Sequence, residues 1–219
     1  MGCFLINILD KLWPAFVAVV VTQLLVQKFI EMRKPKLEMI PEGVKAHSWK
    51  KLDGSSESPY HMWRIQVQHI KLPWYLGWLI KSREASLQCK ADLTFYNSND
   101  QELFTMQGRW VNSREVSLIS PLDQQEKVIY PDRIDIGYHS PQPLDCIVKF
   151  DDDEKVAYGW NNESYPTGGK NPRCKLDIGT YKVNVKLSGQ NYRQFPTKFN
   201  IVISGDWQGT LLTLSEDQT

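Results

Sequence analysis

The longest apolar stretch of the chain lies near its N-terminus, at residues 12–30, and alternating apolar and polar positions come after it. Its first fifteen residues contain no charged side chain and two polar ones, those of Thr22 and Gln23. As an α-helix, the stretch would span roughly 28 Å, about the thickness of the hydrocarbon core of a bilayer. The pattern predicts a single transmembrane helix within an N-terminal segment at residues 1–31.

Both ends of the predicted helix carry residues that suit a membrane–water interface. Trp13 and Pro14 lie at its start, where an indole keeps its N–H in water and a first-turn proline loses no hydrogen bond. Lys28 lies near the other end, where a long side chain can extend its ammonium group into water. Further residues of the predicted membrane anchor are Phe16, Leu24 and Leu25.

The basic residues around this helix lie almost entirely on its C-terminal side. A basic stalk at residues 32–36 carries Arg33, Lys34 and Lys36, whereas the N-terminal flank offers one acidic and one basic residue. Because basic residues are retained on the cytoplasmic side, this asymmetry predicts a cell-membrane protein with a cytoplasmic C-terminal domain. An extracytoplasmic domain is the alternative. In the preferred orientation, the stalk cations face an anionic inner leaflet, so the lipid bilayer is one predicted partner.

Other interpretations of the N-terminus stay open. A cleaved signal peptide is disfavoured because the first eleven residues are nearly neutral and no small-residue cleavage site follows Val21. The apolar run is also short enough for a buried helix of a soluble protein or for an interfacial helix. Gly2 and Cys3 are similar to an acylation start, but Ile6 stands where myristoylation requires serine or threonine.

Residues 37–219 show the period of two that is typical of β-strands. The clearest strand is at residues 85–96, where Ala85, Leu87 and every second residue as far as Phe95 are predicted to face the core. Further strands are predicted at residues 37–40, 61–70, 102–110, 145–150, 155–160, 175–179, 180–188, 198–204 and 209–214, and short strands or extended edge pieces at residues 116–119, 127–130 and 133–138. The total is roughly eight to ten short strands. Short strands separated by turn residues predict a mainly β domain, one antiparallel β-sandwich of the immunoglobulin-like type.

Two more detailed predictions concern the end of the first strand and the faces of the strand at residues 145–150. Pro41 is predicted to end the first strand, so that residues 41–60 form a loop. In the strand at residues 145–150, Cys146 and Val148 are predicted to share one face and Ile147 and Lys149 the other.

Two loops are candidate contact surfaces. The loop at residues 71–81 is broken by Pro73 and Gly77 yet rich in apolar and aromatic side chains: Trp74, Tyr75, Leu76, Trp78 and Leu79. Such a loop is either a lid over one open end of a sheet or a second contact with the membrane interface or a transmembrane partner. The polar loop at residues 161–173 is the second candidate, through Asn161, Asn162 and Tyr165.

The order of these segments resembles a known arrangement. An N-terminal span, the basic stalk RKPKLEMI and the strands WRIQVQHI and REASLQCKADLTF are similar to a loose group of uncharacterised prokaryotic single-span membrane proteins with a small β-sandwich domain. The segments at residues 108–110 and 179–183 are similar to that group too. The resemblance implies topology and fold only, and it implies no activity and no catalytic residues.

Composition and motifs limit the kinds of partner and reaction that the sequence predicts. The net charge is +1, from 26 basic and 25 acidic residues, so overall electrostatics predicts no nucleic-acid partner. The four cysteines are scattered without a C-x-x-C pair, which predicts reduced thiols rather than a disulfide framework or a zinc site. The motifs of serine hydrolases, zinc proteases and phosphate-binding loops are absent from the sequence. We therefore predict no catalytic residue, no metal ligand and no cofactor.

These patterns favour a non-enzymatic, membrane-anchored binding or scaffold protein that presents a cytoplasmic β-sandwich to a protein partner, with an exposed edge strand available for β-augmentation. One alternative is a ligand- or metal-binding sensor or enzyme subunit, whose polar site would combine residues 151–154 with the loop that begins at Asn161. A further alternative is an accessory subunit of a membrane homo- or hetero-oligomer. In that case Thr22, Gln23 and Gln27 would form hydrogen bonds to neighbouring helices.

Overall fold

The computed structural model describes residues 2–50, 56–113, 133–192 and 196–215, with the backbone alone at residues 2–12, 49–50 and 56–58. The described residues form one long helix, two antiparallel β-sheets and short 3-10 helices. The chain divides into two compact units. The helix unit comprises Met1–Pro35 and Lys71–Glu84, and the sheet unit comprises Lys36–Ile70 and Ala85–Thr219.

Helix α1 is Gly2–Arg33. Its segment Trp13–Arg33 is long and apolar enough to cross a membrane, and none of its most apolar window is buried. Pro14 lies inside α1, so the expectation that it occupies the first turn is wrong. The helix begins ten residues earlier than predicted and forgoes the backbone hydrogen bond that proline cannot donate.

The sheet unit contains two antiparallel sheets. In chain order the strands are β1 (Leu37–Lys50), β2 (Ser56–His69), β3 (Ser86–Tyr96), β4 (Glu102–Gln107), β5 (Arg109–Trp110), β6 (Ile134–Ile136), β7 (Gln142–Phe150), β8 (Val156–Gly159), β9 (Lys175–Asp177), β10 (Gly179–Ser188), β11 (Thr197–Ile203) and β12 (Leu211–Leu214). The first sheet has the order β1-β2-β7-β8-β9, and β5 also pairs with β7. The second has the order β12-β11-β10-β3-β4, and β6 also pairs with β3.

One buried core is shared by the two sheets, which gives a sandwich-like arrangement. Trp63 and Ile65 of β2 and Val183 and Val185 of β10 are at most 2% exposed and belong to the same apolar cluster. Arg64 and Asn184, which lie between the two buried residues of each strand, are less buried. Burial therefore alternates with the period of two expected for strands with one covered face. Burying each such side chain contributes roughly 1.5–3 kcal/mol.

Gly108 is the point at which the chain passes from the second sheet to the first. It separates β4, which pairs with β3, from β5, which pairs with β7. Its N–H donates to the carbonyl of Ala91 at 2.8 Å. A Cβ here would lie 2.6 Å from Cδ1 of Leu93 and 2.8 Å from Cδ1 of Leu144. The predicted strand at residues 102–110 is therefore two strands, and the missing side chain lets the backbone cross the packed core.

The prediction of a loop at residues 41–60 is wrong for residues 41–50 and 56–60, which belong to β1 and β2, and residues 51–55 lie outside the described residues. Strand β1 continues through Pro41 to Lys50, and Pro41 stands opposite Ile65 in the β1–β2 register. Because β1 pairs with β2 alone among the described strands, it is an edge strand, and an edge strand tolerates a residue without a backbone N–H.

Strand β3 departs from its predicted alternation near its start. Ser86 is fully buried, whereas Leu87 is 38% exposed, so the prediction that Leu87 faces the core is wrong. Gln88 has φ 52°, and the β3–β6 register is irregular between Ser86 and Cys89. This irregularity shifts the alternation of buried and exposed side chains by one residue. From Cys89 to Phe95, the side chains predicted to face the core are buried.

Strand β7 contains a second irregularity. Ile147 pairs with Trp63 and Asp145 with Arg64, so Cys146 has no partner in the register. Cys146 and Ile147 both join the main core, and Val148 belongs to a second cluster. The prediction that Cys146 and Val148 share a face is therefore wrong, because a bulge restores the alternation one residue late.

The other predicted strands fit the structure where it describes them. Those at residues 180–188, 198–204 and 209–214 correspond to β10, β11 and β12. The predictions at residues 116–119 and 127–130 lie outside the described residues.

Candidate functional site

The predicted anchor residues lie on an exposed helix. Trp13 is 65% exposed and Leu25 66%. Phe16, Leu24 and Lys28 are exposed as well. A continuous apolar surface of this length is unusual in water and ordinary in lipid.

The apolar loop predicted at residues 71–81 belongs to the helix unit, as part of the segment Lys71–Glu84. Hydrogen bonds tie its end to the last turn of α1. Nη1 of Arg83 donates to the carbonyl oxygen of Met32 at 2.6 Å, and the N–H of Glu84 donates to the carbonyl oxygen of Arg33 at 2.8 Å. The last carbonyls of a helix lack partners within it, so this segment caps α1.

Inside the segment, a short 3-10 helix at Trp74–Leu76 follows Pro73. The N–H of Leu76 donates to the carbonyl of Pro73 at 2.9 Å, and the N–H of Leu79 donates to the carbonyl of Leu76 at 3.0 Å. These bonds give a compact turn that presents Trp74, 91% exposed, and Trp78, 82% exposed. Tyr75 and Leu79 are exposed too, whereas Leu76 is half-buried.

The stalk cations occupy both units. Arg33 and Lys34 are exposed in the helix unit, and Nη2 of Arg33 lies 3.8 Å from Oε1 of Glu84. Lys36 is exposed in the sheet unit, where its carbonyl accepts a hydrogen bond from the N–H of Ile70 at 2.8 Å.

The second predicted contact loop forms a cover over the first sheet. It contains 3-10 helices at Asn162–Thr167 and Pro172–Cys174. Asn161 is 3% exposed and exchanges hydrogen bonds with Ser164, whose Oγ donates to Oδ1 of Asn161 at 3.1 Å. Tyr165 is 7% exposed and packs on Trp160 with ring centroids 5.5 Å apart.

This burial gives Asn161 and Tyr165 a structural role, whereas Asn162 is half-buried. The residues beneath the cover form a satellite cluster of Met62, Val148, Phe150, Val156, Tyr158, Trp160 and Tyr165. Gly169, at φ +86°, lies against it, and a Cβ there would come within 2.5 Å of Trp160.

A buried ionic cluster lies beside the satellite cluster. Asp145 is fully buried, and its two carboxylate oxygens accept hydrogen bonds from Nε of Arg64 at 2.8 Å and from Nη1 of Arg109 at 2.7 Å. The guanidinium of Arg109 stands over the Tyr165 ring at 5.5 Å, and Nη2 of Arg64 lies 3.2 Å from Nε2 of His47. Burial and the cation of Arg64 lower the pKa of His47. Both arginines are committed to one carboxylate, so the cluster stabilises the fold rather than offering an open reactive group.

Sequence reasoning missed this cluster. Arg64 sits at an outward position of a strand. It is 81 residues from Asp145 along the chain, and Arg109 is 36 residues from Asp145. The available local signal is a charged residue on a strand with polar neighbours, which describes most solvent-facing positions.

The acidic run at residues 151–154 does not converge on one point. Asp151 lies 3.1 Å from Nε2 of His61, Asp152 accepts from Nζ of Lys170 at 2.8 Å, and Asp153 accepts from the hydroxyl of Tyr158 at 2.8 Å. Burial, together with that last contact, raises the pKa of Tyr158 to about 12. Among the described residues, no group of three His, Cys, Asp or Glu side chains could hold a metal ion.

Lys149 is a second buried charge that sequence reasoning missed. It is 2% exposed, and Nζ donates to the carbonyls of Glu154 and Ser204, the latter at 3.0 Å. Burial lowers its pKa, although nearby carboxylates act in the opposite direction. Ser204 lies in the β11–β12 loop, and Nε1 of Trp63 donates to the carbonyl of Thr210 in the same loop at 3.1 Å. The bonds to Ser204 and Thr210 join the first sheet to the β11–β12 loop.

The cysteines that the structure describes are buried and free. Burial raises the pKa of Cys146 well above its usual range and that of Cys174 to about 11. Cys89 lies 2.9 Å from Oγ of Ser86, and burial raises its pKa as well. Thiols of this kind are protonated at neutral pH and are poor nucleophiles.

Comparison with known proteins finds no match for this chain among family models, curated proteins or solved structures.

Proposed function

We propose that the chain is a single-pass membrane protein without catalytic activity, whose immunoglobulin-like β-sandwich is presented on the cytoplasmic side to a protein partner. The observation that supports this most is helix α1. Its segment Trp13–Arg33 has the length and composition of a membrane span, and none of its most apolar window is buried. A soluble protein would bury such a helix in its core.

The chemistry of the sheet unit supports a binding role. Asp145 is held by two arginines and Lys149 by two backbone carbonyls, and the described cysteines have raised pKa values. A nucleophile or a general base requires an accessible group whose pKa is adjusted towards its task. The immunoglobulin-like assignment draws on two antiparallel sheets around one core, with the chain crossing between them.

The cytoplasmic orientation draws on the positions of the cations. Arg33 and Lys34 are exposed at the C-terminal end of α1, and Lys36 follows them. Basic residues next to a span are retained in the cytoplasm.

Two measurements on the full chain test this proposal. The first is extraction of membranes with alkaline carbonate, which leaves an integral protein in the pellet. The second is protease digestion of intact cells that carry a C-terminal tag on the protein. We expect the chain in the pellet, and a tag that is cleaved only after the membrane is permeabilised. Release by carbonate contradicts the span, and cleavage on intact cells contradicts the orientation.

The exposed side of β11 and β12 is the proposed contact with the partner. Val202 is 40% exposed and Leu211 53%, and the two stand opposite each other in the register. Since β12 pairs with β11 alone among the described strands, its free edge can accept another strand.

A photo-crosslinking side chain at Leu211 tests this contact in the native membrane. The matched control carries the crosslinker at Thr105 of β4, an exposed position on the opposite edge of the same sheet. We expect one defined protein adduct from position 211, lost in Val202→Asp, and none from position 105. Equal adducts from both positions would contradict a specific contact at β12.

A lateral role of the helix is the second candidate, favoured by two unpaired polar positions on its surface. Oγ1 of Thr22 donates to the carbonyl of Ala18 at 2.7 Å, so this hydroxyl is satisfied within α1. Gln23 and Gln27 are exposed on the helix and would form hydrogen bonds to a neighbouring helix. Gln23→Leu should then weaken association in detergent while carbonate resistance is unchanged. An unaltered complex in that variant would contradict this role.

A further inference from the structure

The segment Lys71–Glu84 is fixed at a defined place along α1. The hydrogen bonds from Arg83 and Glu84 reach the carbonyls of Met32 and Arg33, where the apolar segment Trp13–Arg33 ends. In a helix that spans a bilayer, this last turn lies where hydrocarbon gives way to headgroups. The bonded end of the segment is therefore held at the depth of the membrane–water interface.

The exposed side chains of the segment are those that favour that depth. Trp74 is 91% exposed and Trp78 is 82% exposed, whereas Trp63 and Trp110 of the sheet unit are at most 2% exposed. An indole exposed to water keeps a large apolar surface hydrated, which is unfavourable. At a membrane interface the same ring enters the acyl boundary while its N–H stays hydrated.

The charges of the segment complement a negative surface. Lys71, Lys81 and Arg83 oppose one acidic residue, Glu84, and both lysines are exposed. The two lysines lie on either side of the aromatic turn in the sequence, so their ammonium groups can reach headgroup phosphates while the rings enter lipid.

We propose that Lys71–Glu84 is a second membrane-binding element, in which Trp74 and Trp78 insert into the interface and Lys71 and Lys81 bind anionic phospholipid headgroups. This inference rests on the proposed insertion of α1. It adds a lipid contact beside the span, so the membrane holds the chain through two elements of the helix unit. Arg83 is a positioning residue, since its hydrogen bond to Met32 holds the segment at the end of the helix.

Quenching of tryptophan fluorescence by brominated lipid tests the insertion. The full chain is reconstituted into nanodiscs of phosphatidylcholine and phosphatidylglycerol, with bromine at a shallow acyl position. We expect strong quenching, and loss of most of the quenchable intensity in the variant Trp74→Phe/Trp78→Phe. The control Trp207→Phe, in the β11–β12 loop of the sheet unit, should leave the quenchable intensity unchanged. Trp13→Phe reports the part contributed by the helix itself.

The outcomes separate this inference from the proposed function. If Trp13 is quenched but the Trp74→Phe/Trp78→Phe variant loses nothing, the helix is inserted and the second element is overturned. If neither Trp13 nor the pair is quenched, both the span and the inference are overturned.

The lipid charge is tested by varying the phosphatidylglycerol content. In the wild-type chain, quenching of the Trp74 and Trp78 component should increase with the anionic fraction, and Lys71→Ala/Lys81→Ala should remove that dependence. The control Lys155→Ala/Lys186→Ala removes the same charge from exposed positions of the sheet unit and should keep the dependence. Equal dependence in both variants would overturn the assignment of headgroup binding to Lys71 and Lys81.

Discussion

The buried carboxylate of Asp145 accepts a hydrogen bond of 2.7 Å from Nη1 of Arg109. Its other oxygen accepts one of 2.8 Å from Nε of Arg64, so two cations share one anion inside the sheet unit. Removing the anion leaves both guanidinium groups without their counter-charge, and an uncompensated buried charge is costly. The cluster joins β2, β5 and β7 of the first sheet, and its effect on stability can be measured.

We predict that Asp145→Asn lowers the free energy of unfolding by about 3–5 kcal/mol, the usual cost of breaking a buried ion pair. The measurement is urea unfolding followed by tryptophan fluorescence. The control Asp92→Asn removes a half-buried carboxylate, with a side chain 36% exposed, that lies 3.4 Å from Nζ of Lys90, and it should cost at most about 1 kcal/mol. Similar costs for both variants would contradict the role of the cluster.

The Asp145 cluster shows where sequence reasoning stops. The face of β3 from Cys89 to Phe95 was predictable because alternation is a property of neighbouring residues. The partnership of Asp145 with Arg64 depends on the β2–β7 register, across 81 residues of chain. Alternation alone places Arg64 among solvent-facing positions, since a strand pattern carries no information about which strand will lie beside it.

The candidate contact loops were predictable to different extents. The apolar composition of residues 71–81 marked them as a candidate contact loop, because an apolar loop without strand or helix periodicity is unusual, but it left a lid and an exposed contact as alternatives. Its hydrogen bond from Arg83 to Met32 spans 51 residues and had no local signal. The polar loop at residues 161–173 concealed buried Tyr165, since polar neighbours say little about what lies beneath a loop. Bulges at Gln88 and Cys146 displaced predicted faces by one residue, which alternation cannot anticipate.

Gly168 and Gly169 form a matched pair for testing the cover over the satellite cluster. Both have positive φ, +61° and +86°, but only at Gly169 would a Cβ collide, at 2.5 Å from Trp160 and 2.6 Å from Phe150. We predict that Gly168→Ala costs about 1–2 kcal/mol from the left-handed backbone alone. Gly169→Ala should cost about 1–3 kcal/mol more, because it overpacks the cluster. Thermal unfolding of both variants provides the comparison, and equal costs would contradict close packing under the cover.

Lys149 predicts a pH dependence of stability. Burial lowers its folded-state pKa below the ordinary 10.5, so between these two values the unfolded chain holds a proton that the folded chain has lost. Stability therefore increases with pH across that window as far as this group is concerned. The free energy of unfolding of wild type minus that of Lys149→Met should rise as pH increases towards 10.5.

The difference between the two proteins isolates Lys149, because groups common to both cancel. The exposed control Lys186→Met should give a difference that does not vary with pH. A flat difference for Lys149→Met would show that its ammonium group is as well accommodated in the folded protein as in water.

The described cysteines predict low thiol reactivity in the folded chain. Cys89, Cys146 and Cys174 are buried, and their raised pKa values keep the thiolate population small. In a chain carrying Cys3→Ser, iodoacetamide at pH 8 should label none of the three in buffer and all three in concentrated urea, as read by mass spectrometry. Rapid labelling of the folded chain, or a disulfide among these residues, would contradict the prediction.

The Cys174 thiol predicts that its contribution to the free energy of unfolding decreases at alkaline pH. Its pKa is raised by burial from 9.0 to about 11, so between these values the unfolded chain releases a proton that the folded chain keeps. Its contribution to stability is complete below pH 9.0 and declines as pH rises towards about 11. The free energy of unfolding of wild type minus that of Cys174→Ala should therefore fall across this range, opposite in direction to the Lys149 difference. A constant difference would mean that the Cys174 thiol is as well hydrated in the folded protein as in the unfolded chain, and a rising one would mean that folding lowers its pKa; either result contradicts the prediction.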